Sequence, residues 1–181
     1  LNINGSFTTD YGGGSGSNNK NIIQVTGSGI VNVVGNLINN SANANNNAII
    51  TITNTASGAV VNCTGNITSN STGAGIGASV VAVNAGTFNV TGNLLSSTSP
   101  SVFTTGGAVN VIGNVTGGTT QPAITNGTAA AVISVTGIVT VGFGAPAIYS
   151  NFALTSGYAS ATYVKISGNV INTLNNMAVV A

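Results

Sequence analysis

The chain has almost no charged side chains: its 181 residues include two Lys or Arg, one Asp or Glu and no His. Nucleic-acid binding needs several basic side chains to displace counterions from phosphates, and a helix on a membrane surface needs a basic face. No apolar run reaches the ~18 residues of a membrane span. The composition predicts no nucleic-acid partner and no membrane insertion, whereas the low net charge favours self-association into a homo-oligomer or filament.

The side chains that most catalytic and metal sites need are also scarce. Without histidine the chain cannot form a Ser-His-Asp or Cys-His arrangement, and one carboxylate cannot supply the acid–base pair of a glycosidase. One cysteine and one acidic residue are too few for a zinc or calcium site. We therefore expect a protein that is not an enzyme and that binds no cofactor or metal.

A short phrase of alternating apolar and polar residues, followed by Gly-Asn, recurs along the whole chain. It reads LNINGSF, VNVVGNL, VNCTGNI, FNVTGNL, VNVIGNV and VKISGNV, with a degenerate copy around VTVGFGA. The reference positions of the copies are Gly5, Gly35, Gly65, Gly92, Gly113, Phe143 and Gly168. Their mean separation is about 27 residues, a period typical of solenoid proteins. The repeat leaves no boundary inside residues 1–181, so we predict a single repeat domain, a segment of a longer chain or assembly.

The alternation within the phrase predicts a strand with one buried face. The residue two positions before the reference is apolar in every copy, and its outward neighbour is usually Asn. The predicted core residues of this column are Val33, Cys63, Val90, Val111, Val141 and Ile166. Cys63 shares its column with Val and Ile, and we therefore expect it to pack as a small apolar residue.

Two further segments complete each repeat. A β-branched stretch precedes the phrase, as in NIIQVTG, AIITITN, SVVAVNAG, SVFTTGG and AVISVTG, and a short apolar stretch follows the Gly-Asn bend. Such a unit can bury its apolar face only by stacking on its neighbours. The sequence predicts an all-β, single-stranded parallel β-helix (β-solenoid) of about six to seven coils, right-handed by the usual connection preference. An antiparallel sandwich is the alternative for short strands with glycine-rich turns.

Asparagines in successive repeats favour ladders of stacked amides, which can satisfy one another's hydrogen bonds. The residue after the reference glycine is the preferred candidate in each copy. These candidates are Asn36, Asn66, Asn93, Asn114 and Asn169. The outward asparagines of the strand allow two interpretations, a second ladder or a solvated face.

Aromatic side chains are few, and three of them lie close together in the segment IYSNFALTSGY. Tyr149, Phe152 and Tyr158 form a candidate surface for binding a glycan or a protein of a host surface. A local hydrophobic plug is the alternative interpretation of the same cluster.

The reiterated NVTGNL and NVIGNVTGG phrases resemble the β-helical repeat regions of phage tail-fibre and other virion proteins and of bacterial surface adhesins. The resemblance implies a structural fibre or a surface-recognition module, of the adhesin or receptor-binding kind, that is extracellular, on the cell surface or on a virion. A self-assembling extracellular filament subunit is one alternative function. An ice-binding protein is the other, although Thr51-Ile52-Thr53 is not continued as a threonine column in successive repeats.

Overall fold

The computed structural model describes residues 1–9, 21–40, 48–53, 55–72, 78–127, 131–142, 145–150, 163–172 and 179–180. These residues form 21 short β-strands and no α-helix. Within the described ranges, no helix has the length and apolar character needed to cross a membrane.

The strands, numbered along the chain, build three sheets of seven strands each. Sheet A contains β1 (Asn2–Asn4), β4 (Gly29–Val34), β7 (Ala59–Thr64), β10 (Thr87–Thr91), β13 (Ala108–Ile112), β16 (Val132–Val135) and β19 (Tyr163–Ile166). Sheet B contains β2 (Phe7–Thr9), β5 (Leu37–Asn39), β8 (Ile67–Ser69), β11 (Leu94–Ser96), β14 (Val115–Thr116), β17 (Val139–Val141) and β20 (Val170–Asn172). Sheet C contains β3 (Ile23–Val25), β6 (Ile50–Ile52), β9 (Val81–Val83), β12 (Val102–Thr104), β15 (Ile124–Asn126), β18 (Ile148–Ser150) and β21 (Val179–Val180).

Every strand pair is parallel, and each strand pairs with the strand three positions further along the chain. The chain therefore passes through sheets A, B and C in turn and then starts the next coil on top of the last. This arrangement is a parallel β-solenoid. The fold class predicted from the repeat is confirmed, and the all-parallel pairing excludes the antiparallel sandwich.

Apolar side chains that are one coil apart stack directly on each other inside the solenoid. Val33 is in register with Cys63, Cys63 with Val90, and Val90 with Val111. All four are buried, and Ile166 is partly buried against the same core. Burial also raises the pKa of the Cys63 thiol to about 12, so this side chain packs as a neutral, apolar group. Each buried Val contributes roughly 1.5–3 kcal/mol relative to an exposed one.

The sixth repeat does not lie where the sequence pattern placed it. Val135, and not Val141, is in register with Val111, and the glycine that stacks on Gly113 is Gly137. Val141 is fully buried but belongs to sheet B, where it pairs with Asn172. The prediction at Phe143 was wrong because Gly137 is followed by Ile and not by Asn, whereas VTVGFGA imitates the alternation of the phrase.

The bend between sheets A and B depends on glycines that stack on one another. Gly92 has a positive φ of 150°, a backbone conformation that residues other than Gly rarely adopt. A Cβ atom at this position would overlap the carbonyl oxygen of Gly65 in the preceding coil. The recurring glycine of the phrase is therefore required both by its own backbone conformation and by the close approach of successive coils.

Candidate functional site

The outer face of sheet A carries a continuous ladder of asparagine side chains. In each step the Nδ2 group of one asparagine donates a hydrogen bond of 2.8–2.9 Å to Oδ1 of the asparagine one coil earlier. The ladder consists of Asn2, Asn32, Asn62, Asn89 and Asn110. Of the two interpretations of this column, the structure therefore supports the ladder.

The asparagines of the bend form a second series with a different hydrogen-bond pattern. Oδ1 of Asn36, Asn66 and Asn93 accepts from the backbone N–H of the equivalent asparagine in the next coil. One amide–amide bond, from Asn93 Nδ2 to Asn66 Oδ1 at 3.2 Å, accompanies them. Oδ1 of Asn114 accepts from the backbone N–H of Ile138. Because Ile138 has no side-chain acceptor, the series ends there and does not extend to the predicted member Asn169.

The polarity of the outer ladder leads to a testable prediction at Asn62, which donates to Asn32 and accepts from Asn89. In Asn62→Asp the ionised carboxylate can still accept the hydrogen bond from Asn89 Nδ2. It cannot donate one to Asn32 Oδ1, so that bond is lost and two oxygen atoms face each other. We expect a loss of roughly 1–3 kcal/mol in the free energy of unfolding at pH 7. The protonated acid restores the donor, so the pKa in the folded state rises above the unfolded value of about 3.9. The loss in the free energy of unfolding caused by Asn62→Asp should therefore become smaller as the pH falls through that raised pKa.

Asn2→Asp is the matched control for this experiment. Asn2 acts in the ladder as an acceptor for Asn32, and a carboxylate keeps that role. Thermal melts of both variants between pH 3 and pH 7 make the comparison. Equal losses at the two positions, or a deficit in Asn62→Asp that does not depend on pH, would contradict the direction of the ladder.

Both series join one coil to the next. In the outer ladder, Asn32, Asn62 and Asn89 each donate and accept a side-chain hydrogen bond, whereas the bend series uses mainly Oδ1. Both series therefore stabilise the stack. The outer column of sheet B is a different kind of surface, in which threonine alternates irregularly with larger apolar residues. It consists of Thr8, Ile38, Thr68, Leu95, Thr116, Thr140 and Ile171. Isoleucine and leucine interrupt this column, so it does not form the unbroken threonine array that an ice-binding face would favour.

The outer face of sheet C brings two aromatic side chains into one column. Tyr149, one of the predicted surface residues, is in register with Thr125, and Thr125 is in register with Phe103. We call Phe103, Thr125 and Tyr149 the aromatic column. The other two predicted members of the cluster, Phe152 and Tyr158, lie outside the described residues.

The repeat pattern did not predict Phe103 as a member of this surface. It follows the buried Val102 of β12 just as Tyr149 follows the buried Ile148 of β18. Alignment of SVFTT, AITNG and AIYSN on their buried residues would have found it. The misplaced sixth repeat prevented this alignment, because it put AVISVTG into the position that Ile124–Asn126 occupies.

Thr125 lies between the two rings and is unusual for an outward-facing residue. It is only 7% exposed, and its Oγ1 atom has no hydrogen-bond partner. The ring of Phe103 extends over the same coil, with Cε2 3.8 Å from the point where a Cβ on Gly127 would lie. Oδ1 of Asn126, on the opposite face of the strand, is buried and unpaired as well. Two unpaired polar atoms on consecutive residues make β15 the least satisfied strand in the described part of the solenoid.

The described surface around the aromatic column is electrically neutral. The single charged side chain within the described ranges is Lys165, which lies in sheet A in register with Ser134. The described residues also include no group of three or more His, Cys, Asp or Glu side chains that could hold a metal ion. The described part of the site therefore offers two aromatic side chains and one unpaired hydroxyl, that of Thr125, without a charge.

The chain is, by its fold, a parallel β-solenoid. Comparison with protein-family models, curated proteins and solved structures found no match.

Proposed function

We propose that this chain is a structural module of an extracellular or virion fibre, in which it acts as a rigid spacer without catalytic activity. The observation that carries the proposal is the unbroken coil-to-coil register of all three sheets. In a solenoid of this kind each coil contacts only its neighbours, so the number of coils sets the length. The stacked core continues from coil to coil, and the outer amide ladder repeats the same hydrogen bond from Asn2 to Asn110, which favours a stiff rod.

A self-assembling filament is the second candidate, and the near absence of charge supports it. The chain has a formal net charge of +1 at pH 7 and only three charged side chains in 181 residues. Little electrostatic repulsion therefore opposes association between copies of the chain. Electron microscopy of the purified chain tests for filaments.

Removal of one whole coil tests the spacer proposal. Thr87 is in register with Ala108, and Gly86 and Gly107 occupy equivalent turns with φ values of 69° and 73°. Deletion of residues 87–107 therefore joins Gly86 to Ala108 with the turn preserved. Because the coils are interchangeable in a spacer, we expect the shortened chain to fold, to keep its β circular-dichroism spectrum and to lose about 4.8 Å of length in solution X-ray scattering.

The matched control removes residues 87–108, one residue more. This deletion shifts the register by one residue and turns the buried side chains of the next strand outward. We expect this variant to unfold. If the in-register deletion unfolds as completely as the control, the coils are not interchangeable and the spacer proposal fails.

A further inference from the structure

We propose that the aromatic column binds the ring of a neutral sugar, as part of a glycan or polysaccharide. This ligand site goes beyond the proposed spacer function, because a spacer needs no ligand. The proposal depends on the positions of Phe103 and Tyr149, the unpaired hydroxyl of Thr125 and the absence of charge in the described part of sheet C.

The spacing of the two strands that carry the rings suits an elongated ligand with apolar faces. Phe103 and Tyr149 belong to strands that lie on either side of β15, so their backbones are two strand spacings apart, roughly 9.6 Å. Aromatic faces pack well on apolar C–H groups, and those of a pyranose ring lie on its two faces. The rings of an oligosaccharide that lies along the column can therefore contact both side chains.

The unpaired hydroxyl of Thr125 points to a ligand with its own hydroxyl groups. Buried polar atoms in folded proteins almost always have a partner, and an exception calls for a physical explanation. Thr125 faces outward, between two side chains that are only partly buried. Rotation of these surface side chains would uncover the hydroxyl without any change in the backbone. Gly127, which has no side chain beside the ring of Phe103, leaves room for that movement. A sugar hydroxyl would then provide the missing hydrogen bond.

The lack of charge in the described part of sheet C favours neutral sugars over charged ones. The described strands of sheet C contain no Lys, Arg, Asp or Glu. An anionic sugar or a phosphate would lose its hydration without gaining an opposite charge. A neutral hexose or N-acetylhexosamine carries no such cost. Neutral sugars should therefore bind more tightly than charged sugars of the same length.

Titration of the full chain with oligosaccharides tests the proposal. The probes are tetrasaccharides of glucose, galactose, mannose and N-acetylglucosamine, with tetragalacturonate as the anionic comparison. Saturation-transfer NMR from the aromatic protons detects contact, and calorimetry gives the affinity. We expect at least one neutral probe to bind. Phe103→Leu and Tyr149→Leu should each lower the affinity for that probe about tenfold. The control Ile112→Leu changes an exposed side chain on sheet A and should leave binding unchanged. If no neutral probe binds, or if binding is unaffected by both ring substitutions, the proposal is wrong.

Thr125→Val separates a ligand role from a structural role of the hydroxyl. It replaces an unpaired hydroxyl by a methyl group of similar size, so we expect a higher melting temperature in the absence of sugar. The same variant should bind the neutral probe about fivefold more weakly. A lower melting temperature together with unchanged binding would show that the hydroxyl has a structural partner, which contradicts the proposal. The spacer function is tested separately by the coil deletion, so the two proposals can fail independently.

Discussion

Gly92→Ala is expected to destabilise the solenoid by about 3–5 kcal/mol, or to prevent folding altogether. Two effects add at this position. The backbone has a φ of 150°, and the new methyl group would overlap the carbonyl oxygen of Gly65 in the coil beneath. Because that carbonyl belongs to a backbone fixed by two sheets, it cannot move away without disturbing the register of both.

Two other glycines serve as graded controls for this substitution. Gly5 has a φ of 143° but no atom within 4 Å of an added Cβ, and Gly27 has neither the positive φ nor a close neighbour. We therefore expect Gly5→Ala to cost about 1 kcal/mol, from the backbone strain alone. Gly27→Ala should be close to neutral. Urea unfolding of the three variants measures the series, and equal losses at Gly5 and Gly92 would exclude the proposed contact between coils.

Val111→Asp is expected to have the second large effect, a loss of at least about 4 kcal/mol at pH 7. Val111 is 1% exposed and lies in the apolar column between Val90 and Val135. A carboxylate at this place would lose its hydration and would find no cation inside the core. Burial raises the pKa of such a group, so the loss should decrease at low pH, where the acid is neutral in both states.

The adjacent residue provides the control. Ile112 is on the same strand but faces outward and is 61% exposed. Ile112→Asp changes the charge by the same amount and should alter the free energy of unfolding by less than about 1 kcal/mol. Chemical denaturation of both variants at pH 7 decides the point. Similar losses at the two positions would mean that the inward and outward faces of β13 have been assigned incorrectly.

The architecture could be predicted because the repeated phrase contains its main physical requirements. Alternation predicts which face of the strand is buried, and the reference glycine marks the bend where a side chain would collide with the coil beneath. The prediction of stacked Val33, Cys63 and Val90 depended on this pattern alone. The same reasoning failed at the sixth repeat, where Gly137 lacks the following Asn and the signature is lost.

The candidate site could be predicted only in part. Tyr149 could be selected as an aromatic residue in a chain with few of them, but its neighbours in the column, Thr125 and Phe103, lie 24 and 46 residues earlier in the chain. The segments between sheets vary in length, so Phe103 and Thr125 align with Tyr149 only when their strands are superposed on their buried residues, and the misplaced sixth repeat prevented that. The burial and unpaired hydroxyl of Thr125 result from packing between coils, which no pattern of residue types records.

Distances between spin labels on the outer column of sheet B test the central claim that each coil lies directly above the one before it. With Cys63 replaced by Val, cysteines at Thr8 and Thr116 carry labels four strand spacings apart, and cysteines at Thr8 and Thr140 carry labels five spacings apart. Pulsed electron paramagnetic resonance should give mean distances of roughly 19 Å and 24 Å, an increase of about 4.8 Å for the added coil. A shorter distance for the second pair, or distances that do not increase with the number of coils, would contradict the stacked solenoid.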